Sequence, residues 1–300
     1  MGWSIAFPVA GIEINPLWPP LVAFVISFFT SMGGVSGAFL LLPFQVSVLG
    51  FTTPAVSATN HLYNIVAIPG GVLRFIREGR MVWPLTAAVV IGTLPGVMIG
   101  AVIRVRWLPD PRDFKLFAGL VLLYIGGRML QAMLRRGRGG PTTAPGGDIA
   151  RVERGRFGMR RVTYEYDGRR FEASTPVLLC LCAGVGLLGG VYGIGGGAIV
   201  APFLVTRFGL PVHTVAGAAL MGTFITSLAG VAFFQLMAST GFGVNTAPDW
   251  GLGLLFGLGG LAGTWCGARV QKHVPARTIK WILVVCILVP AVRYIAGFFL

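Results

Sequence analysis

Neutral polar side chains cluster in one apolar stretch of the first half of the sequence. Six of them fall between residues 57 and 64: Ser57, Thr59, Asn60, His61, Tyr63 and Asn64. On a helix, Asn60 and Asn64 lie one turn apart, with Ser57 and His61 on nearly the same face. Such a stripe offers hydrogen bonds to a small polar ligand, although Asn and Thr also join helices in membranes. His61 has two interpretations, a proton carrier or an interior group that orders the stripe.

Two glycine-rich segments lie at the centre of two other apolar blocks, residues 17–50 and 176–209. They read Gly33-Gly34-Val35-Ser36-Gly37 and Gly189-Gly190-Val191-Tyr192-Gly193-Ile194-Gly195-Gly196-Gly197. Thirty-four residues of continuous helix would measure about 51 Å, whereas the hydrocarbon core of a bilayer is about 30 Å thick. Each block must therefore bend or break, and glycine is the residue that best tolerates irregular backbone.

A helix that begins inside the membrane exposes backbone N–H groups and the positive end of its dipole, which together favour an anion. We therefore predict a small-anion site built from both glycine breaks and the polar residues that follow them. Close helix packing is the alternative role of the breaks. The predicted substrate-binding residues are Gly34, Ser36, Gly37, Asn60, His61, Asn64, Gly193, Gly195, Gly196, Gly197, Thr223, Thr226 and Ser227.

Other kinds of site are disfavoured by what these blocks lack. No Asp, Glu or Lys lies in the central part of any block, which argues against a sodium cage of carboxylates and against a carboxylate proton relay. The three histidines have no acidic partner nearby in sequence, so we expect no metal site, and the four cysteines read as small buried side chains. No nucleotide-binding motif is present. We therefore expect no cofactor, no catalytic residues and no enzymatic activity.

The composition is that of an integral membrane protein. Hydrophobic residues make up 55% of the 300-residue chain and charged residues only 11%, and the sixty residues from Ile14 to Leu73 carry no formal charge. No cleavable signal peptide is expected, because the N-terminus carries Glu13 and no basic residue before Pro16. The net charge of +14 is concentrated, with ten of the 24 basic residues between Arg135 and Arg170. This pattern marks one membrane side and does not indicate nucleic-acid binding.

An internal repeat divides the chain into two related halves. A shift of 159 positions places Gly34-Val35-Ser36-Gly37 on Gly193-Ile194-Gly195-Gly196, Pro43 on Pro202 and Thr223 opposite Asn64. A larger shift matches two glycine ladders of the kind that lets helices approach closely in lipid, namely Gly92, Gly96 and Gly100 with Gly259, Gly263 and Gly267. We predict a first transmembrane repeat at 1–134, a cytoplasmic linker and β-ribbon at 135–175, and a second repeat at 176–300.

The positions of the basic residues predict the topology. If the first block of each half folds back as a re-entrant hairpin, Arg74, Arg77 and Arg80 share one face with the Arg135–Arg170 loop, Arg207 and the basic residues 269–280. That face is then cytoplasmic. Three full crossings per half place the halves in inverted orientation, so the predicted fold class is an all-α membrane protein with inverted repeats. The loop with Arg104, Arg106, Arg112 and Lys115 deviates, because it would be external. A second helix interruption is expected near Pro69-Gly70-Gly71.

The central loop has two predicted parts. Residues 137–147, rich in glycine and proline, read as a flexible linker. Polar and apolar residues then alternate around Asp167-Gly168, which predicts a β-hairpin on the cytoplasmic surface. Orientation and contact with anionic lipid are the expected roles of its arginines, and regulation or substrate collection is the alternative.

The segment from Gly189 to Pro202, with its partner Met32 to Pro43, resembles the TauE/SafE sulfite exporter family. The resemblance covers nearly the whole chain and implies a carrier in the inner membrane for sulfite, sulfoacetate and related sulfonates. The first half departs from the motif, since Ser36 and Ala38 replace Gly195 and Gly197.

The expected function is export of such anions by a secondary transporter, with the lipid bilayer and a small anion as partners and possible proton coupling. Import of the same anions, a membrane enzyme acting on lipid phosphate, and an assembly factor without transport remain alternatives. The sequence leaves the oligomeric state open.

Overall fold

The structure is a computed structural model that describes residues 4–33, 36–135, 152–241, 245–270 and 276–299. Helices dominate these residues, and two small antiparallel sheets accompany them. In chain order the elements are β1 (Ile5–Phe7), β2 (Ile12–Ile14), α1 (Trp18–Gly33), α2 (Ala38–Ser47), α3 (Ala55–Ala67), α4 (Pro69–Arg77), α5 (Trp83–Arg106), α6 (Pro111–Arg135), β3 (Val152–Phe157), β4 (Arg161–Tyr166), β5 (Arg169–Ser174), α7 (Thr175–Tyr192), α8 (Gly196–Phe208), α9 (Val212–Ser239), α10 (Trp250–Val270) and α11 (Ala276–Phe299).

The first apolar block of each half is broken where its glycines predicted a break. In the first half α1 ends at Gly33 and α2 begins at Ala38; Gly34 and Val35, between them, lie outside the described residues. In the second half α7 ends at Tyr192 and α8 begins at Gly196. Gly193 and Gly195 have φ angles of +81° and +73°, which side chains with a Cβ rarely adopt. The break in the second half therefore requires glycine at these two positions.

The second block differs between the halves. In the first half α3 ends at Ala67 and α4 begins at Pro69, which confirms the interruption predicted near this proline. Proline suits the first turn of a helix because its missing N–H has no partner there in any case. In the second half α9 continues from Val212 to Ser239 without a break.

Five of the described helices are long and apolar enough to cross a membrane: Trp83–Arg106, Thr175–Tyr192, Thr214–Ser239, Trp250–Val270 and Trp281–Phe299. The helices at Trp18–Met32, Ala38–Ser47 and Gly196–Phe208 are apolar but shorter. These shorter helices belong to the broken blocks, but the first piece of the second block, Thr175–Tyr192, is itself long enough to span.

Each glycine ladder packs against the broken helix of the other half. On α5, Cβ atoms at Gly96 and Gly100 would overlap the carbonyl oxygens of Ala183 and Leu187 on α7. On α10, the same overlap would occur between Gly263 and Phe24, and between Gly267 and Phe28, both on α1. Phe24 and Phe28 lie 159 positions before Ala183 and Leu187, which is the offset of the repeat. The two ladders therefore make equivalent contacts in space.

The remaining large helix pairs also join the first half to the second. Helix α3 packs on α10, and its counterpart α9 packs on α5. Helices α6 and α11, the last of each half, pack on each other. Since most large contacts join one half to the other, the described helices of the two halves form a single interleaved bundle.

The central loop contains the predicted hairpin and one strand more. Strands β4 and β5 pair around Asp167 and Gly168, whose φ angles of 54° and 66° fit the predicted tight turn. Strand β3, which the alternation pattern did not predict, adds a third strand on the other side of β4. The sequence also gave no prediction of the β1–β2 hairpin near the N-terminus. The predicted linker at 137–147 lies outside the described residues.

The three-stranded sheet contacts both ends of the α7–α8 pair. At the start of α7, Thr175 donates through Oγ1 to the carbonyl of Gly158 at 2.7 Å. Just after α8, Thr214 of α9 lies 2.8 Å from the hydroxyl of Tyr164, which is buried in β4. The α7–α8 pair therefore begins and ends at the same sheet.

The two ends of the α1–α2 pair also lie together. The start of α1 and the end of α2 line one surface cleft of about 250 Å³, formed by Ile14, Asn15, Trp18, Pro19, Phe44, Val48 and Leu49. The two ends of helix α5 contact the sheet and the chain that follows this cleft. Pro84, near its first residue, contacts Gly155 of β3, and Arg104, near its last, donates to the carbonyl of Thr52 at 2.9 Å.

The Arg104 side chain lies inside the protein, although the sequence placed it in an external loop. Its guanidinium is fully buried, 3.7 Å from the centre of the Phe114 ring, and it also donates to the carbonyl of Leu108. Arg104 therefore ties the end of α5 to the chain that follows α2, and it is not part of a solvated loop.

Candidate functional site

Helix α3 combines polar side chains with nearly complete burial. Five of its polar side chains have no exposed surface: Ser57, Thr59, Asn60, His61 and Asn64. Burying a polar group in an apolar interior is unfavourable unless the group forms hydrogen bonds. The hydrogen-bond partners of these side chains therefore show which neighbouring helices contact α3 and which of its polar atoms remain without a partner.

Two of these residues meet one serine of the second half. His61 Nδ1 lies 3.2 Å from Ser227 Oγ on α9, and Asn64 Nδ2 lies 3.3 Å from the same oxygen. The ring of His61 packs against Gly230 and tilts toward Phe234. The structure thus brings His61, Asn64 and Ser227, which were predicted from separate halves, into one cluster at the crossing of α3 and α9.

Asn60 points to the first break instead. Its Nδ2 donates to the carbonyl of Ala38, the first residue of α2, at 3.2 Å. Its Oδ1 accepts from Nε2 of Gln45, also on α2, at 3.5 Å. The polar residues of α3 therefore face two neighbours, α2 and α9, and do not form one stripe.

The equivalent contact in the second half contains no polar side chain. By the repeat offset, Ala38 and Asn60 correspond to Gly197 and Ala219. A Cβ at Gly197 would overlap the carbonyl oxygen of Ala219, so α8 lies directly on the backbone of α9. In the first half an Asn side chain joins α3 to α2, whereas in the second half α8 contacts the backbone of α9 directly. This difference gives a structural basis for Ala38 in the first half where the second half has Gly197.

The second break is closely surrounded. The N–H of Gly196 donates to Thr226 Oγ1 at 3.3 Å. Cβ atoms built at Gly195 and Gly196 would approach Thr223 Cγ2 at 3.0 Å and Thr93 Cγ2 at 2.6 Å. Gly193 lies against the backbone of Ser57, whose hydroxyl donates to the carbonyl of Val191 at 2.9 Å. Packing alone would explain a requirement for glycine at these positions, so the alternative role of the breaks gains support.

The first break has fewer free backbone donors than the sequence suggested. The N–H of Ala38 donates to Ser36 Oγ at 3.3 Å, and the next two amides reach the carbonyls of Ser36 and Gly37. A Cβ at Gly37 would meet Ser27 Oγ and the hydroxyl of Tyr63, which are themselves joined at 2.7 Å. The first turn of α2 is thus satisfied within its own chain, and the start of α8 is the better candidate for backbone contact with an anion.

Gln45 and Thr93 are site neighbours that the sequence analysis missed. Both are fully buried, one beside Asn60 and the other beside Gly196. A glutamine at the centre of an apolar helix was the available signal for Gln45. Thr93 lies in the ladder helix α5, and only the packing of α5 against the second break shows its place.

Three unpartnered polar atoms distinguish this region. Five buried side-chain atoms among the described residues form no hydrogen bond, and three of them are Gln45 Oε1, His61 Nε2 and Asn64 Oδ1. The other two are Nε atoms of Arg80 and Arg104, which lie outside α2 and α3. Because unpartnered buried polar groups are rare in native structures, their concentration here marks a candidate place for a ligand or water.

Acidic and metal-binding groups are sparse. Within the described residues no group of three His, Cys, Asp or Glu side chains could hold a metal ion. Asp249, the nearly buried carboxylate before α10, accepts from the backbone N–H groups of Ala10 and Leu252 at 3.1 and 3.0 Å. Its position caps α10 and anchors the N-terminal hairpin.

Long apolar helices, two glycine-broken blocks and a buried polar cluster where α3 crosses α9 define a multi-pass membrane protein. The chain belongs to the TauE/SafE sulfite exporter family, whose sequence model matches residues 20–294.

Two curated relatives extend over most of the chain. A probable membrane transporter protein, YunE, of Bacillus subtilis (strain 168) is 25% identical over 282 residues, covering 90% of this chain and 93% of its own. A probable membrane transporter protein of Xylella fastidiosa (strain Temecula1 / ATCC 700964) is 24% identical over 256 residues, covering 84% and 83%. No solved structure gives a significant match. Membership of this family makes the chain a membrane transporter.

Proposed function

We propose that the protein is a secondary transporter of small sulfur-containing anions, such as sulfite, sulfoacetate or related organosulfonates, and that it exports them across the inner membrane. The observation that carries this proposal is the buried polar cluster at the crossing of α3 and α9, next to both broken helices. In many transporters built from internal repeats, the substrate site lies at the interface of the repeats, where a small relative movement changes access.

The proposed topology has inverted repeats, each opening with a re-entrant hairpin. Both ends of α7–α8 reach the sheet, and both ends of α1–α2 reach the cleft at the other end of α5, as expected if the two hairpins enter from opposite sides. The sheet side is cytoplasmic in this proposal, since its exposed arginines belong on the inner face. The repeats occupy residues 1–134 and 176–300, with the cytoplasmic segment 135–175 between them.

The proposed site uses both side chains and backbone to bind the anion. Asn60, His61, Asn64, Thr223, Thr226 and Ser227 supply polar groups, while Gly34, Ser36, Gly37, Gly193, Gly195, Gly196 and Gly197 allow the backbone of the breaks to approach the anion. The start of α8 adds the positive end of its dipole. The hydrogen bond from Gly196 to Thr226 would be exchanged for one to the anion when substrate binds.

The direction of transport follows from electrostatics in this proposal. With no nucleotide-binding motif in the sequence, the membrane potential is the simplest driving force, and a negative interior drives an anion outward at about 2.3 kcal/mol per charge for 100 mV. Coupling to a proton through His61 would add to this force.

Flux in proteoliposomes tests the proposal. Vesicles that contain purified protein should transport radiolabelled sulfite or sulfoacetate faster than protein-free vesicles, and an outward-directed potential should accelerate the flux. Asn60→Ala and Asn64→Ala should each weaken binding by about 1–3 kcal/mol through loss of a hydrogen bond to a charged group. Ser47→Ala is the matched control, because Ser47 lies on α2 but bonds to Tyr294, away from the cluster. Absence of flux for every sulfur anion would contradict the proposed function.

A further inference from the structure

Two apolar side chains are exposed at the turn between β3 and β4. Met159, within the turn, is 90% exposed, more than any other large apolar side chain that the structure describes. Phe157, the last residue of β3, is 41% exposed. Scattered apolar residues on a protein surface need no explanation by themselves. The position of this turn relative to the membrane decides what the two side chains contact.

The turn is bonded to the first residue of a membrane-spanning helix. Thr175 Oγ1 donates to the carbonyl of Gly158 at 2.7 Å, and the Thr175 N–H donates to the carbonyl of Arg160 at 3.1 Å. Thr175 begins α7, which is long and apolar enough to cross a membrane, and no formal charge lies between residues 173 and 206. The chain therefore enters the apolar phase directly after Thr175, and the turn lies at the level of the lipid headgroups.

Phe157 lies on the face of the sheet that is turned toward the helices. It is paired across the strands with Val162, so the two side chains share one face. Val162 is buried, and Tyr164, two residues further along β4, is buried against α9. On β3, Gly155 of the same face contacts Pro84 of α5. Phe157 thus extends this face beyond the helices on which the rest of it packs, and the neighbour of the helices at this level is lipid.

Trp83 marks the same level on a neighbouring helix. It is the first residue of α5 and is more than half exposed, and the next residue, Pro84, contacts β3. Tryptophan is enriched where a membrane meets water. The starts of α5 and α7 therefore both place β3 at the membrane surface.

An arginine without an ionic partner adjoins the apolar turn. Arg160, next to Met159, is exposed and forms no ion pair with any residue that the structure describes. In contrast, Arg161 and Arg170 both pair with Glu172, at 2.7 and 3.1 Å. An exposed apolar tip beside an uncompensated positive charge complements an anionic phospholipid, whose acyl chains and phosphate offer the two matching chemistries.

We propose that the β3–β4 turn, residues 157–160, docks on the membrane surface by binding an anionic phospholipid. Met159 and Phe157 enter the upper part of the acyl-chain region, and Arg160 binds the phosphate. The expectation of lipid contact by the loop arginines thereby narrows to one turn, with an apolar component that the sequence pattern did not predict. The proposal is independent of transport and of the orientation of the bundle, because it requires only that α7 spans the membrane. Since the turn is bonded to Thr175, the bound lipid stabilises the start of α7.

Fluorescence quenching in nanodiscs tests the depth of the turn, because both membrane faces are then open to solvent. In a background without the four native cysteines, Met159→Cys and Arg169→Cys each carry an environment-sensitive fluorophore. Arg169 is exposed at the opposite end of β4 and serves as the control. We expect lipids spin-labelled near the headgroup to quench the probe at residue 159 several-fold more strongly, and aqueous acrylamide to favour residue 169. Equal quenching of the two probes by either agent would overturn the proposal.

Lipid composition tests the choice of ligand. In nanodiscs of phosphatidylcholine with increasing phosphatidylglycerol, the unfolding temperature should rise with the anionic fraction. Arg160→Gln should need about fivefold more phosphatidylglycerol for half of that rise, the effect of one arginine at a charged surface. Arg170→Gln is the matched control, because it removes the same charge from a residue paired with Glu172. No rise for the unsubstituted protein, or equal shifts for the two variants, would contradict a headgroup site at Arg160.

The apolar part of the contact has its own variant. Met159→Ser should also raise the required fraction of phosphatidylglycerol, and its exposure means that the fold does not depend on it. Oxidation of unlabelled Met159→Cys protein in liposomes checks for a second copy of the chain as the partner. A disulfide-linked dimer formed in high yield, or an unchanged lipid requirement for Met159→Ser, would overturn insertion of the turn into lipid.

Discussion

Gly196, the first residue of α8, packs directly against the side chain of Thr93 on α5. A Cβ at residue 196 would lie 2.6 Å from Thr93 Cγ2, closer than carbon atoms approach without displacement. The contact joins the break of the second half to a helix of the first. It also permits the packing role of the glycine to be separated from a role in anion binding.

Gly196→Ala should lower the thermal stability of the detergent-solubilised protein, because overpacking costs about 1–3 kcal/mol. Thr93→Gly as a second substitution removes the opposing side chain and should restore most of that stability. If the backbone at Gly196 also contacts the anion, the double variant will be stable but slow in flux. A stable double variant with normal flux would show that Gly196 serves packing alone.

His61→Gln separates the two interpretations of this histidine. Glutamine keeps a hydrogen-bonding group beside Ser227 but cannot be protonated at neutral pH. If His61 carries a coupling proton, the variant should bind substrate and lose the acceleration of flux by an imposed pH gradient. If His61 only orders the cluster, that acceleration should persist. The measurement is anion flux with and without the gradient, and Ser47→Ala supplies the comparison.

Single cysteines test the proposed topology. In a background that lacks the four native cysteines, none of which forms a disulfide, Arg169→Cys marks the exposed end of the β4–β5 hairpin and a cysteine added after Leu300 marks the C-terminus. An impermeant thiol reagent should label the second in intact cells and the first only after the membrane is opened. Labelling of both from the same side would contradict the inverted arrangement.

The contact of the sheet with α9 should weaken in alkali. Burial raises the pKa of Tyr164 to about 12, although its hydrogen bond with Thr214 opposes part of that shift. Since this folded-state pKa lies above the value of about 10 for an unfolded chain, the neutral phenol stabilises the docked sheet below about pH 10, and the contribution is lost as pH rises toward 12. Comparing the tyrosinate absorbance of the protein with that of Tyr164→Phe measures this ionisation. A difference spectrum centred near pH 10 would show that Tyr164 is not buried in solution.

The same tyrosine provides a mutational check on the docked sheet. Tyr164→Phe should reduce stability by about 0.5–1.5 kcal/mol through loss of the bond to Thr214. Tyr166→Phe, two residues along the same strand, is the matched control. Equal changes in unfolding temperature for the two variants would indicate that the hydrogen bond between Tyr164 and Thr214 makes no measurable contribution to stability.

The sequence by itself determined the membrane class, the two breaks, the interruption before Pro69 and the hairpin at Asp167-Gly168. These features are local: a long apolar stretch exceeds the bilayer, and glycine or proline changes the backbone where it stands. The repeat offset was also readable from the sequence. Three-dimensional packing repeats it in the contacts of Gly96 with Ala183 and of Gly263 with Phe24.

Only the tertiary structure decided which side chains meet. Asn60 and Asn64 occupy one face in a helical projection, yet one bonds to α2 and the other to α9, because both neighbours pack on α3 from different sides. Ser227 lies 163 residues from Asn64 in the sequence. Thr93 lies beside Gly196 because α5 packs against the second break, and the glycine ladder of α5 does not predict that contact. Sequence periodicity records which residues face inward. The partner across each interface depends on how the two halves interleave, and no local preference encodes that.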